Sequence, residues 1–151
     1  LHGFVWKNGK FTQWDIPGGS QTQNLGISNS GIVVGQVFAF DFWNGFLKAA
    51  SDVDIFPRFH TPNFDCDNFT TGVNNRVDIV GWCTEQNSAY FAPTVEANEG
   101  SPEREKAPAY VRVAFPNAVT TMPSSINYAR AIVGSYQDSQ NNFHGFMASP
   151  Q

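Results

Sequence analysis

The stretch LGISNSGIVVGQV, residues 25–37, decides the fold, because the chain repeats it twice more. The second copy is TGVNNRVDIVGWC at 71–83 and the third is SSINYARAIVGSY at 124–136. Each has an apolar residue (Ile27, Val73, Ile126), then turn-forming Ser or Asn, then an aliphatic pair and a glycine (Gly35, Gly81, Gly134). A short strand pattern follows each copy: NGFLK at 44–48, SAYFA at 88–92 and HGFMA at 144–148. A fourth copy of that pattern, HGFVW at 2–6, opens the chain. Next comes a strand that runs to a proline: FTQWDIPGG at 11–19, FPRFHTPNF at 56–64 and YVRVAFPNA at 110–118. Pro17, Pro62 and Pro116 align, and proline ends a strand because it cannot donate to the ladder. Pro17 to Pro62 is 45 residues and Gly35 to Gly81 is 46; Pro62 to Pro116 is 54 and Gly81 to Gly134 is 53. Two independent landmarks keep offsets that agree to within one residue, which marks an internal repeat.

Each unit reads as four short strands joined by tight turns, in the first full unit near 24–28, 32–38, 44–49 and 54–61. Asn8-Gly9 in WKNGKF is a hairpin signal, and no segment holds a helical period. The expected fold is all-β: three four-stranded antiparallel repeats, propeller-like, with a β-trefoil or β-prism as the alternative threefold arrangement. The 151 residues are expected to form a single repeat domain with units near 20–64, 65–118 and 119–151, the last completed by 1–19. The two chain ends would thus combine into one sheet. Three units are few for a propeller, so pairing of two chains or membership of a longer array are the other routes to closure. The third unit is longer because VEANEGSPEREKAP, 95–108, stands where the first has Lys7-Asn8-Gly9, and reads as an exposed loop.

Composition bounds the function. Charged residues are 15% and aromatic residues 15%, so burial rests on fourteen Phe and four Trp, and the surface is not highly charged. A net charge of −4 gives no electrostatic footprint for nucleic acid, and no apolar run approaches a membrane span. The sequence opens on Leu1 rather than Met, as in a processed chain or a piece of a longer one, and removal of a signal peptide fits. Between Cys66 and Cys83 lies a hairpin that reads as turning at Val73–Arg76. If Gly72 pairs with Val77, Cys66 falls opposite Cys83 at a separation a disulfide spans, which points to an oxidising compartment; two buried thiols are the alternative.

The repeat resembles the HAF-type extracellular repeat of bacterial secreted proteins, which reads approximately G-I-N-x-x-G-x-I-V-G-x-Y, a polar turn, H-G-F-L, then F-T-x-x-D-x-P-G. The matches are HGFVW with FTQWDIPGG, LGISNSGIVVGQ, and SSINYARAIVGSYQDSQNNFHGFM. The middle repeat departs: NGFLK and SAYFA lack the His, and FPRFHTP has His60 in place of Asp. The resemblance implies secretion and a propeller-like stack, and it carries no catalytic residues.

The most distinctive local departure is FAFDFWNGF, 38–46, where the other repeats have the polar TEQNS and QDSQNN. Read as one strand, it puts Phe38, Phe40 and Phe42 on one face and Asp41 with Trp43 on the other. It is a candidate ligand platform or docking patch, or extra core under a loop. Trp43 and Trp82 with Asp41, Phe40 and Asn44 are the candidate ligand-binding residues, glycan being the likeliest ligand class; Gln36 and Glu85 are nearby polar candidates. Trp14 aligns with Phe59 and Val113 and reads as core. His2 and His144 hold equivalent places in HGF and read as structural hydrogen-bonding groups. Asp52 with Asp54 reads as a polar turn. No catalytic motif, cofactor signature or metal-spaced Cys/His set is present. Asn68-Phe69-Thr70 is a possible N-glycosylation sequon. The expected function is a secreted non-enzymatic binding module, with self-association into an extracellular structural polymer as one alternative and hydrolysis of extracellular polymers as another.

Overall fold

The computed structural model describes residues 1–49, 53–56, 67–84, 88–93 and 110–149. Cys66, Asp52, His60, Glu85 and the 95–108 insertion lie outside them. Among the described residues there are thirteen strands, all paired antiparallel, and no helix. β1 (Phe4–Lys7) and β2 (Lys10–Gln13) form a separate hairpin. β3 (Gln21–Ile27), β4 (Val33–Ala39), β5 (Phe42–Lys48) and β6 (Val53–Phe56) form a four-stranded meander. β7 (Asn68–Val73), β8 (Ile79–Cys83), β9 (Ser88–Ala92) and β10 (Val111–Val113) form the second. β11 (Thr120–Ile126), β12 (Ile132–Gln137) and β13 (Phe143–Ala148) form a third sheet of three strands. Among the described residues the sheets are four, not three, and none closes on another. Within the chain the N-terminal hairpin β1-β2 is a sheet of its own, not hydrogen-bonded to β11–β13, and its Val5 packs with Ile16 and Trp14 on the first sheet.

The repeated sequence makes a repeated device. In all three meanders the first strand bulges one residue before the apolar landmark's glycine or serine neighbour: the register shifts between Asn24 and Gly26, Thr70 and Gly72, and Pro123 and Ser125. Leu25, Thr71 and Ser124 are the extra residues, and such a bulge bends the strand and increases its twist. Opposite stand Gly35, Gly81 and Gly134, paired with Asn24, Thr70 and Pro123. A Cβ on any of them would collide with a partner-strand carbonyl oxygen: Gln23 O, Phe69 O or Met122 O. The glycine of the motif is therefore a steric requirement of the bulge. The turns that follow also match. Ser28, Asn74 and Asn127 each donate their backbone N–H to a carbonyl four residues on, at 2.9, 3.1 and 3.0 Å. Gly31, Val77 and Arg130 each take a left-handed φ, of 83, 63 and 64°.

The middle hairpin turns later than the sequence suggested. Gly72 pairs with Val80, so Asn68, not Cys66, stands opposite Cys83. The bulge at Thr71 and the five-residue turn 74–78, one residue longer than 73–76, account for the slip. Cys83 is buried, and among the described residues no cysteine is a free thiol. Asp54 lies in β6 opposite Leu47 rather than in a turn.

The sheets stack face to face. Successive strand residues point to opposite faces, so Val33 and Val37 serve one core and Val34 another. Val33, Val37 and Phe46 pack with Ile16, Val5 and Trp14 of the hairpin segment. Val34 and Leu47 pack with Val73, Ile79, Tyr90 and Ala92 of the second sheet. Val80 and Phe91, on that sheet's other face, pack with Ile126, Ile132 and Phe146 of the third. Each buried aliphatic side chain is worth about 1.5–3 kcal/mol. The contacts are made by each sheet's first strand: β7 lies on β3, β4 and β5, and β11 lies on β7, β8 and β9. The second and third sheets are also tied by charge. The buried Asp78 carboxylate accepts Arg130 Nε at 2.9 Å and Nη2 at 3.1 Å, and Asn74 Nδ2 at 2.9 Å. Asn74 Nδ2 also donates to Asn127 O at 3.0 Å, joining the two equivalent turns.

Two glycines of the third sheet separate the bulge argument from a general dislike of Ala. Gly134→Ala would meet Met122 O and Pro123 Cα, the latter at 2.8 Å, whereas the nearest atom to a Cβ on Gly145 is Gly134 O at 4.0 Å. Gly134→Ala is expected to destabilise by roughly 1–3 kcal/mol in urea denaturation, and Gly145→Ala by less than about 0.5 kcal/mol. Equal effects would contradict the steric account.

Candidate functional site

The aromatic stretch 38–46 is not one strand. The chain reverses at Phe40-Asp41, between β4 and β5, and both residues take left-handed φ of 57 and 67°. That is the backbone of a two-residue hairpin turn, a place Asn-Gly usually occupies. Phe40 is consequently thrown out into solvent at the tip, away from the Phe38 face, and Asp41 beside it is exposed. The turn is closed from beneath by Asn44. Its side chain is buried and its Nδ2 donates to Ala39 O at 2.8 Å and Phe42 O at 3.0 Å. Asn44 thus braces the turn and has no amide donor left for a ligand. Trp43 pairs with Phe38 across the strands, edge to face at 5.5 Å, and its backbone N–H donates to Asp67 Oδ1 at 3.1 Å.

Trp82 does not join this group. Trp43 shares a face with Gly45 and Leu47, toward the second sheet, whereas Trp82 shares a face with Val80, toward the third. Trp82 is stacked on Phe69 with centroids 4.6 Å apart. The two tryptophans therefore belong to different sheet interfaces. Gln36 is buried against Gln23, its Nε2 donating to Gln23 Oε1. Trp14 packs on the first core, with Lys48 Nζ 4.2 Å over its ring. Of the five expected ligand-binding residues, Phe40, Asp41, Trp43 and Asn44 cluster at one turn and Trp82 lies elsewhere.

Asn68 is fully buried. Its Oδ1 accepts the Tyr90 hydroxyl at 3.0 Å, and Thr70 Oγ1 lies 2.9 Å from the same hydroxyl. Burial pushes the Tyr90 hydroxyl well above its ordinary range. The folded sheet leaves no space for a glycan on Asn68.

Both HGF histidines bond to an aspartate, but not to equivalent ones. His2 Nδ1 lies 2.9 Å from Asp15 Oδ2, while Gly3 N donates to Oδ1 at 2.8 Å and Gln13 Nε2 to Oδ2 at 2.6 Å. His144 Nε2 lies 2.8 Å from Asp138 Oδ2, and Gln140 N and Asn142 N donate to Oδ1 at 2.9 Å. Asp15 is held down to about 2, first by Gln13 and His2, and Asp138 to about 2, first by His144. Among the described residues, no group of three or more His, Cys, Asp or Glu could hold a metal ion. Among the described residues no helix is long and apolar enough to cross a membrane.

The sequence reading missed one surface. On the hairpin, Phe4, Trp6 and Phe11 are all exposed, Trp6 stands opposite Phe11, and Phe4 and Phe11 meet edge to face at 5.4 Å. The signal was the alternation in HGFVW itself, which puts Phe4 and Trp6 on one face and Val5 on the other. Comparison with protein families, curated proteins and solved structures gives no match.

Asp15 and Asp138 set a pH dependence. A carboxylate whose folded value lies below its unfolded one contributes stability that is full above about 4 and fades as pH falls toward 2. Thermal melts from neutral pH down to this range should show the loss. An Asp15→Asn, Asp138→Asn double variant should be less stable at neutral pH and show a shallower acid limb; an unchanged limb would contradict the pairing.

Proposed function

We propose that this chain is a secreted, non-enzymatic β-repeat protein that works by associating through its sheet faces, as an extracellular structural subunit. The observation that carries this reading is the pair of unfinished ends. Both faces of the second sheet are covered, whereas Val133, Phe143 and Met147 are exposed on the outer face of the third sheet and Leu25 and Ile27 are exposed on β3 of the first. Large apolar side chains exposed together on a sheet face mark a site of association. The resemblance to HAF-type repeats supports secretion, and a Cys66–Cys83 disulfide fits the same compartment. A propeller-like arrangement is the reading of the stack that follows, with adjoining copies supplying the closure that one chain lacks. The aspartates Asp15, Asp78 and Asp138 are engaged in pairing that holds strands and turns.

A second reading keeps glycan as the ligand and moves it from Trp43 and Trp82 to the exposed Phe4, Trp6 and Phe11 face, where ring faces can stack on sugar. Sedimentation velocity across a dilution series tests the first reading: the full chain should sediment faster as concentration rises, and a single monomeric species throughout would overturn it. On a glycan array the second reading expects binding that Trp6→Ala abolishes and Trp82→Ala leaves intact; no binding by folded protein would end it.

A further inference from the structure

We infer that the bare face of the third sheet docks a second copy of this chain, whose strand β3 lies across it with Ile27 on Val133. This rests on the self-association reading and gives it a geometry. The register makes Ile27, Val73 and Ile126 equivalent, since they pair with Val33, Ile79 and Ile132 next to the same turn. Val34, Val80 and Val133 are equivalent by the same register. Inside the chain these two series meet twice. Val73 shares a core with Val34 and Leu47, and Ile126 shares one with Val80 and Phe91. The members left over are Ile27 at one end and Val133 at the other. Val73 and Ile126 are 7% and 5% exposed, but Ile27 is 57%. Val34 and Val80 are 0% exposed, but Val133 is 44%, with Met147 opposite it at 74%. The two ends are the two halves of an interface the fold has already built twice, so the occupant that fits the third-sheet face is the β3 face of this same chain.

Two further features bear on that fit. Where one sheet's first strand lies on the next, the backbones approach closely. A Cβ on Gly26 would sit 3.0 Å from Thr71 O, and one on Gly72 would sit 2.9 Å from Ser125 Cα. The equivalent residue on the third sheet is Ser125, exposed and carrying the Cβ that the other two lack. A docked strand must stand off from it by a few tenths of an ångström, so the contact between copies is looser than those within one. The second feature is competition for a strand position. Gly3 faces the Asn24 side chain much as Gly45 faces Thr70 and Asn68, so β1 occupies the third-strand position on the first sheet's outer side. β13 of a docking copy claims the same position. One HGF strand has to leave before Ile27 meets Val133, which gates assembly.

Because the halves differ, the contact is heterologous, and successive copies add head to tail. Ile27→Lys and Val133→Lys should each weaken self-association by roughly tenfold or more in sedimentation velocity. Each variant keeps one good half, so an equimolar mixture should regain a discrete one-to-one dimer and nothing larger. Ser125→Gly should tighten association. Circular dichroism checks that each variant keeps its β spectrum, and Ile27→Ser and Val133→Ser replace any that does not. The proposal is overturned if the wild type associates and neither substitution weakens it, or if the mixture stays monomeric. A wild type that never associates instead removes the functional reading beneath it.

Discussion

A β-sheet residue is buried only if something lies on its face, and that constraint orders the whole molecule. Val34 and Val80 are buried because β7 and β11 cross over them. For the crossing strand to come that near, its predecessor has glycine at Gly26 or Gly72. For the strand to bend there it carries a bulge, and for the bulge to fit, the facing strand carries Gly35, Gly81 or Gly134. The repeated motif is the sequence trace of this chain of requirements. The Asp78–Arg130 pair and the Asn74–Asn127 bond fasten the second and third sheets at their turns, the same end at which Asn75 Oδ1 accepts Asn29 N at 2.8 Å between the first and second.

The legible part of the sequence was the part governed by local sterics. The glycines, the Asn8-Gly9 hairpin with φ of 52 and 78°, and the strand order of each meander follow from period and turn chemistry. What failed was register across a turn. The 74–78 turn carries Val77 at a left-handed φ, which a β-branched residue rarely adopts, so turn chemistry alone favours the shorter 73–76 turn that would set Cys66 opposite Cys83. The Phe40-Asp41 reversal is hidden for a similar reason, because its first residue is a bulky aromatic that rarely takes a left-handed φ.

The candidate site was half legible. The 38–46 segment was picked out by composition, and its residues do cluster. Sequence could not tell that Asn44 is spent on bracing the turn, or that Trp43 and Trp82 belong to different interfaces, because both facts depend on which sheet covers which face. The bare hairpin face with Phe4, Trp6 and Phe11 was readable from alternation alone, but exposure of an aromatic strand face is decided by the absence of a neighbouring sheet.

One valine-centred contact recurs along the stack and, in the proposed assembly, continues between copies. Methyl NOE spectroscopy measures it directly, using a mixture of labelled and unlabelled chains to separate contacts within a copy from those between copies. The account predicts Val34–Val73 and Val80–Ile126 cross-peaks within one chain, and Ile27–Val133 cross-peaks between chains under associating conditions. Association with no Ile27–Val133 cross-peak, or with contacts between two copies of the same face, would contradict it.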